Sequence, residues 1–140
     1  MQARPLPLAD SESRPYWEGA RRHELVVLRC PECAYYVHYP QEQCPRCGTG
    51  KLVPSRVSGR GVVHSYTITH HRAAPGFEDR VPFVVALVEL EEQRGLRIVS
   101  NLSGCRSDEV QIGMSVEVVF EDVAAGVSLP QFRPRHQARD

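Results

Sequence analysis

Cys30-Pro31-Glu32-Cys33 and Cys44-Pro45-Arg46-Cys47-Gly48 decide the fold of this 140-residue chain. Two CxxC knuckles separated by residues 34–43 can carry four thiolates to the corners of a tetrahedron, the pattern of a zinc ribbon with Cys30, Cys33, Cys44 and Cys47 as ligands. Four thiolates close the coordination sphere of zinc and leave no position for water or substrate, so the metal organises the chain and does not catalyse. Iron held in the rubredoxin manner satisfies the same sulfur geometry. Zinc is favoured, because nothing else in the chain suggests electron transfer. Disulfide pairing fits poorly: residues 1–10 hold no apolar leader segment before Asp10, and Cys105 is left over as a fifth cysteine. Gly48 follows the second knuckle, where a positive φ turns backbone amides toward the sulfurs. Ala34 occupies the matching place in the first, at a steric cost of about 1–2 kcal/mol, so a slight distortion of the first knuckle is expected.

Working outward, 41% hydrophobic and 24% charged residues suffice for one ordinary core plus a metal-stapled module. No apolar run approaches the roughly 20 residues that span a bilayer, and a soluble cytoplasmic protein is expected, with no membrane partner. Lys plus Arg and Asp plus Glu number 17 each, so no global field draws the chain to nucleic acid.

Residues 1–24 read as a loose arm and a short helix, 25–56 as the ribbon, 57–132 as a barrel and 133–140 as a disordered tail. Order is expected from about Ser13; Pro15 suits a first helical turn, and Tyr16, Trp17, Ala20 and His23 can share one face of a helix running to about Glu24. Trp17 reads first as a core anchor. Leu25–Arg29, Tyr35–Tyr39 and Lys51–Pro54 read as three short ribbon strands. After Ser58-Gly59-Arg60-Gly61 longer strands follow: Val63–Thr69, Pro82–Leu90, Leu96–Leu102, a fourth in which Val116, Val118 and Phe120 alternate with Glu117 and Glu121, and Val127–Phe132. Glu91-Glu92-Gln93-Arg94-Gly95 is a hairpin connection with glycine where positive φ is required. Five such strands, with one longer insertion between the third and fourth, fit a small closed barrel of the OB type. The fold class is therefore mainly β with a short N-terminal helix, a rubredoxin-like zinc ribbon and a five-stranded OB-fold barrel.

Pro15-Tyr16-Trp17-Glu18, the two knuckles, Ser58-Gly59-Arg60-Gly61-Val62-Val63, Ser65-Tyr66-Thr67, Val88-Glu89-Leu90, Ile112-Gly113-Met114 and Leu129-Pro130-Gln131-Phe132 resemble, in order, the acyl-CoA-associated zinc-ribbon and OB-fold proteins (domain of unknown function 35). The departures are Ala34, where glycine is commoner, and Gln93-Arg94, in a hairpin that is often shorter. The resemblance implies a hetero-oligomeric partner of thiolase-superfamily enzymes: ketoacyl-CoA thiolases, hydroxymethylglutaryl-CoA synthase assemblies, or thiolase-like aldolases of steroid side-chain degradation. It implies a non-catalytic accessory subunit, with acyl-CoA at or near the interface.

Other functions fit the chain less well. A catalytic reading must draw on His64, His70, His71 and Cys105, with no nucleophile motif and no orienting third residue. His70 and His71 are consecutive and point to opposite faces of a strand, and Cys105 has Arg106 beside it to lower its pKa but reads as a spare loop thiol. Arg60, Arg72 and Arg80 surround the barrel's entry loops and could meet coenzyme A phosphates. A nucleic-acid-binding zinc-ribbon and OB module is the alternative; the balanced charge, the apolar second barrel strand and the acidic hairpin after it argue against it.

Overall fold

The computed structural model describes residues 5–71 and 81–135. Helix α1 (Arg14–Arg21) begins after a reciprocal clasp in which Ser13 N–H donates to Asp10 Oδ1 at 2.7 Å and Asp10 N–H to Ser13 Oγ at 3.1 Å. Pro15 lies in the first turn, where its missing N–H removes no helical bond. The helix stops three residues short of the expected Glu24. His23 takes a positive φ of 59°, and the amides of Arg22, His23 and Glu24 turn back onto the carbonyls of Gly19 and Ala20 at 2.9 Å. His23 therefore does not share the face of Tyr16, Trp17 and Ala20. It lies exposed, bonds Asp122 Oδ1 at 2.8 Å and stacks on Phe120 with ring centroids 5.2 Å apart. Gly19 and Ala20 are buried where α1 meets the sheet; a Cβ on Gly19 would come within 2.5 Å of Val26 Cγ2.

Strands β1 (Val26–Arg29), β2 (Tyr36–Val37) and β3 (Val53–Arg56) form the ribbon sheet in the order β2-β1-β3. Both pairings are antiparallel, with Leu28 opposite Val37 and Val27 opposite Ser55. β3 sits two residues later than expected, because its register is set by β1 and not by the second knuckle. The barrel follows as β4 (Arg60–Thr69), β5 (Phe83–Leu90), β6 (Arg97–Leu102), β7 (Ser115–Ala124) and β8 (Val127–Pro134), closed in the order β4-β5-β6-β8-β7 by pairing of β4 with β7. β6 meets β8 in parallel through Leu102 and Phe132. The hairpin glycine Gly95 has φ 83°, as its position requires. The insertion between β6 and β7 holds a 3-10 turn, Ser107–Glu109, and buries Val110.

Alternation places the core. Val84, Ala86, Val88 and Leu90 of β5 and Ile98 and Leu102 of β6 point inward around Phe132, which is wholly buried. Leu25, Val27 and Val57 join the same cluster, so ribbon and barrel share one core. The chain stays ordered past the expected barrel end: Arg133 and Pro134 lie in β8 and Arg135 N–H donates to Ser115 O at 2.8 Å, which corrects the tail reading there. Residues 136–140 lie outside the described residues. No helix among the described residues is long and apolar enough to cross a membrane.

Candidate metal centre

The two knuckles are built alike. Cys30 N–H donates to Tyr35 O at 2.9 Å and Cys44 N–H to Thr49 O at 2.8 Å; Ala34 N–H donates to Cys30 O and Gly48 N–H to Cys44 O, both at 2.9 Å. Ala34 adopts φ 65° beside Gly48 at 83°, so the expected distortion of the first knuckle does not occur. The alanine takes the left-handed conformation because closing the knuckle leaves it no other. Arg29 adds to that closure, donating from Nε to Ala34 O at 3.0 Å while its guanidinium lies 4.4 Å from the Tyr36 ring centre.

These turns bring Cys30, Cys33, Cys44 and Cys47 together with all four sulfurs within 4.8 Å of one another. Cys30 Sγ lies 3.4 Å from Cys47 Sγ, and Cys33 Sγ 3.6 Å from Cys44 Sγ. Zinc–sulfur bonds of about 2.3 Å in a tetrahedron require sulfur separations of roughly 3.8 Å, so the quartet fits zinc. Its electrostatics agree. Burial opposes ionisation of Cys44, but the Cys47 and Arg46 amides outweigh it and bring the thiol down to about 7. At Cys47 the Thr49 amide favours the thiolate, yet the Cys30 sulfur and burial win and push the thiol up to about 12. Sulfurs this close repel one another's charge, and a central divalent cation lets all four ionise. The chain is a zinc protein of the ribbon type. Bound zinc there supplies folding free energy and a closed four-thiolate sphere. Cys30 and Cys44 are buried and Cys47 is exposed, so one side of the centre faces solvent.

The catalytic candidates do not converge. His64 is exposed on β4, and His70 and His71 are exposed just past its end. Burial pushes the Cys105 thiol up, with Glu109 adding to the effect, which opposes the lowering expected from Arg106. Arg106 is taken by Asp108 at 2.6 Å. Among the described residues, the cysteine quartet is the one cluster of three or more potential metal ligands. Of the arginines read as coenzyme A contacts, Arg60 is held by Glu91 at 2.7 Å, while Arg72 and Arg80 lie outside the described residues.

Sequence reading missed what fastens the ribbon to the barrel. Gln93, at the tip of the β5–β6 hairpin, accepts from Tyr36 N–H at 2.8 Å and donates to Tyr36 O at 3.0 Å, so its amide extends the ribbon sheet like one residue of a further strand. The signal lay in the hairpin's extra Gln93-Arg94. Tyr39 completes the fastening by accepting the Val99 N–H of β6 at 2.9 Å. Trp17, read as a core anchor, is half-buried against Tyr16, edge-on at 4.8 Å, and stands outside the shared core.

Residues 17–53 match the family described as "ChsH2, rubredoxin-like zinc ribbon domain" and residues 55–121 that described as "ChsH2, C-terminal OB-fold domain". The chain is 39% identical over 131 residues to a protein of Thermomonospora curvata named probable enoyl-CoA hydratase alpha subunit, covering 94% of this chain but 40% of that longer protein. It is 36% identical over 103 residues to a "DUF35 domain-containing scaffold protein" of Methanocaldococcus jannaschii, covering 73% of this chain and 71% of that one. A chain of the solved structure titled "Ltp2-ChsH2(DUF35) aldolase" superposes with a TM-score of 0.83 at 38% identity, covering 91% of this chain and 98% of that chain.

Proposed function

Because the chain belongs to the ChsH2 (DUF35) family of zinc-ribbon and OB-fold proteins, we propose that it is a non-catalytic accessory subunit that docks on a thiolase-like enzyme and supports acyl-CoA binding or channelling there. The observation that carries this reading is the likeness, along nearly its whole length, to a chain of a structure titled as an aldolase assembly. The site chemistry supports it: a four-thiolate metal centre has no open position for a substrate, and the described histidines and Cys105 do not assemble a nucleophile with its base. A thiolase, or a thiolase-like aldolase acting on a steroid side chain, is the enzyme class proposed, in a hetero-oligomer of the two chains.

Arg60, Arg72 and Arg80 are the proposed contacts for acyl-CoA phosphates at the interface. Arg60 would exchange its Glu91 carboxylate for a phosphate, a trade that favours the more highly charged acceptor. The experiment is to purify the tagged protein from its native host, identify the bound enzyme by mass spectrometry, and assay that enzyme with and without this chain. Recovery of a thiolase-family enzyme whose activity on an acyl-CoA falls when the subunit is stripped away is expected. Recovery of the chain alone, of nucleic acid, or of an enzyme indifferent to it overturns the reading.

A further inference from the structure

The four ligands of the metal centre are not equally sheltered. Cys30 and Cys44, the leading cysteines of the two knuckles, are 0% and 2% exposed, Cys33 is half-buried, and Cys47 is exposed. Local structure explains the difference. Cys30 directly follows β1 and Cys33 shortly precedes β2, so the ribbon sheet screens the first knuckle, whereas residues 41–50 form no strand and Pro45, Arg46, Cys47 and Gly48 all stand exposed. Cys47 Sγ lies 3.4 Å from Cys30 Sγ, which belongs to the opposite knuckle. Zinc holds its cysteine ligands as thiolates, the form that reacts with oxidants. The fifth cysteine is the natural competitor, and it is poorly placed. Burial and the Glu109 carboxylate both push the Cys105 thiol up, so it stays protonated at neutral pH.

We propose that Cys47 is an oxidation site at which a hydroperoxide releases the metal, with Cys30 as the resolving thiol. Oxidation selects among thiolates by exposure, and Cys47 is the ligand that stands open to solvent. In the first step the Cys47 thiolate attacks one oxygen of hydrogen peroxide; an S–O bond forms, the O–O bond breaks, and hydroxide leaves to be protonated to water, which gives a sulfenic acid. In the second the Cys30 thiolate attacks the Cys47 sulfur; an S–S bond forms, the S–O bond breaks, and a second hydroxide leaves. The two sulfurs lose two electrons and the peroxide gains them. Two thiolates are then gone from the coordination sphere, and Cys33 and Cys44 alone hold zinc far less tightly. The effect reaches the barrel. Cys30 N–H donates to Tyr35 O, and the next residue, Tyr36, carries both Gln93 bonds, so a first knuckle that opens loosens the ribbon from the β5–β6 hairpin.

The full zinc-loaded chain is treated with one equivalent of hydrogen peroxide, zinc release is followed with a chromophoric chelator, and the cysteines are mapped by mass spectrometry after alkylation of free thiols. Loss of one zinc per chain, a disulfide between Cys30 and Cys47 and an alkylated Cys105 are expected, with dithiothreitol and added zinc restoring the metal. Exchange of the Tyr36 amide should quicken in the oxidised protein while amides within β5 hold. Cys105→Ser should release zinc at the wild-type rate. Cys47→His, which keeps a zinc ligand at that place, should release it several-fold more slowly; where that variant does not retain zinc, the disulfide map of the wild type decides. Oxidation confined to Cys105 with zinc retained, a disulfide within one knuckle, or no reaction at all overturns the proposal. None of these outcomes depends on the thiolase partner.

Discussion

The ribbon and the barrel are both antiparallel β structure, yet they are held by different sources of free energy. The ribbon strands are four, two and four residues long, and Cys30 and Cys44 are among its most buried side chains. The barrel strands run from six to ten residues, and β5 alternates without interruption around Phe132. Sheets as short as the ribbon's bury too little apolar surface to offset chain entropy, so the metal supplies what the core does not. The barrel needs no such staple. A sequence can thus specify the ribbon with four residues, whereas the barrel needs an alternating pattern spread over seventy-odd positions, the span from Arg60 to Pro134.

The sharpest way to break this contrast is to remove one thiolate. Cys44→Ser should lose the zinc and with it folding free energy on the order of 10 kcal/mol in the ribbon, while the barrel keeps its β circular dichroism. Metal analysis with amide exchange decides it; unchanged zinc and unchanged protection of β1 would end the claim that the ribbon depends on the metal. The converse variant is Phe132→Ala, at a wholly buried position. It should cost about 3–5 kcal/mol in denaturant unfolding at undiminished zinc content, through the cavity left in the barrel.

The junction should respond less strongly. His38 is held down to about 4 by burial, below the roughly 6.5 of an unfolded chain. The unfolded state therefore binds the extra proton first, and stability should fall as pH drops from about 6.5 to about 4, by roughly 2–3 kcal/mol in all. His38→Phe should flatten that segment of the stability–pH profile; an unaltered slope would place the titration elsewhere. Gln93→Ala strips both bonds from Tyr36 and should cost about 1–3 kcal/mol. Exchange of the Tyr36 amide should quicken while amides within β5 hold, and equal quickening in both would mean that hairpin and barrel fail together.

Smallest of all is a stabilising change. Ala34→Gly relieves a left-handed alanine and should raise ribbon stability by about 1 kcal/mol, read as slower zinc release to a chelator. The expectation of a distorted knuckle failed here for an instructive reason. The conformational preference of one alanine is worth about a tenth of the metal's contribution, so the knuckle geometry prevails and the residue conforms.

The same ordering of energies explains how much was legible in the chain. The cysteine spacing gave the metal centre whole, since each knuckle is local and the donor chemistry is carried by residue type alone. Alternation gave all five barrel strands to within a few residues, and the positive φ of Gly95 followed from its place in the hairpin. The ends drifted: at Glu24 because the chain turns back at His23, and at Lys51–Pro54 and Arg133–Pro134 because a strand runs as far as its neighbour pairs with it. The partner of Arg60 was not legible, for a sequence shows a cation and does not show the Glu91 that pairs with it.

By itself the sequence determined a zinc ribbon followed by an OB barrel, because ligand spacing and period-two burial are local patterns written in consecutive residues. Only the tertiary structure decided that Gln93 would complete the ribbon sheet across 57 positions and that Tyr39 would reach Val99 across 60. It also decided that Tyr16, Trp17, His38 and Val99 would line one half-open depression. Such contacts leave no periodic trace in the chain, since they arise from how finished elements meet and not from the propensity of any segment.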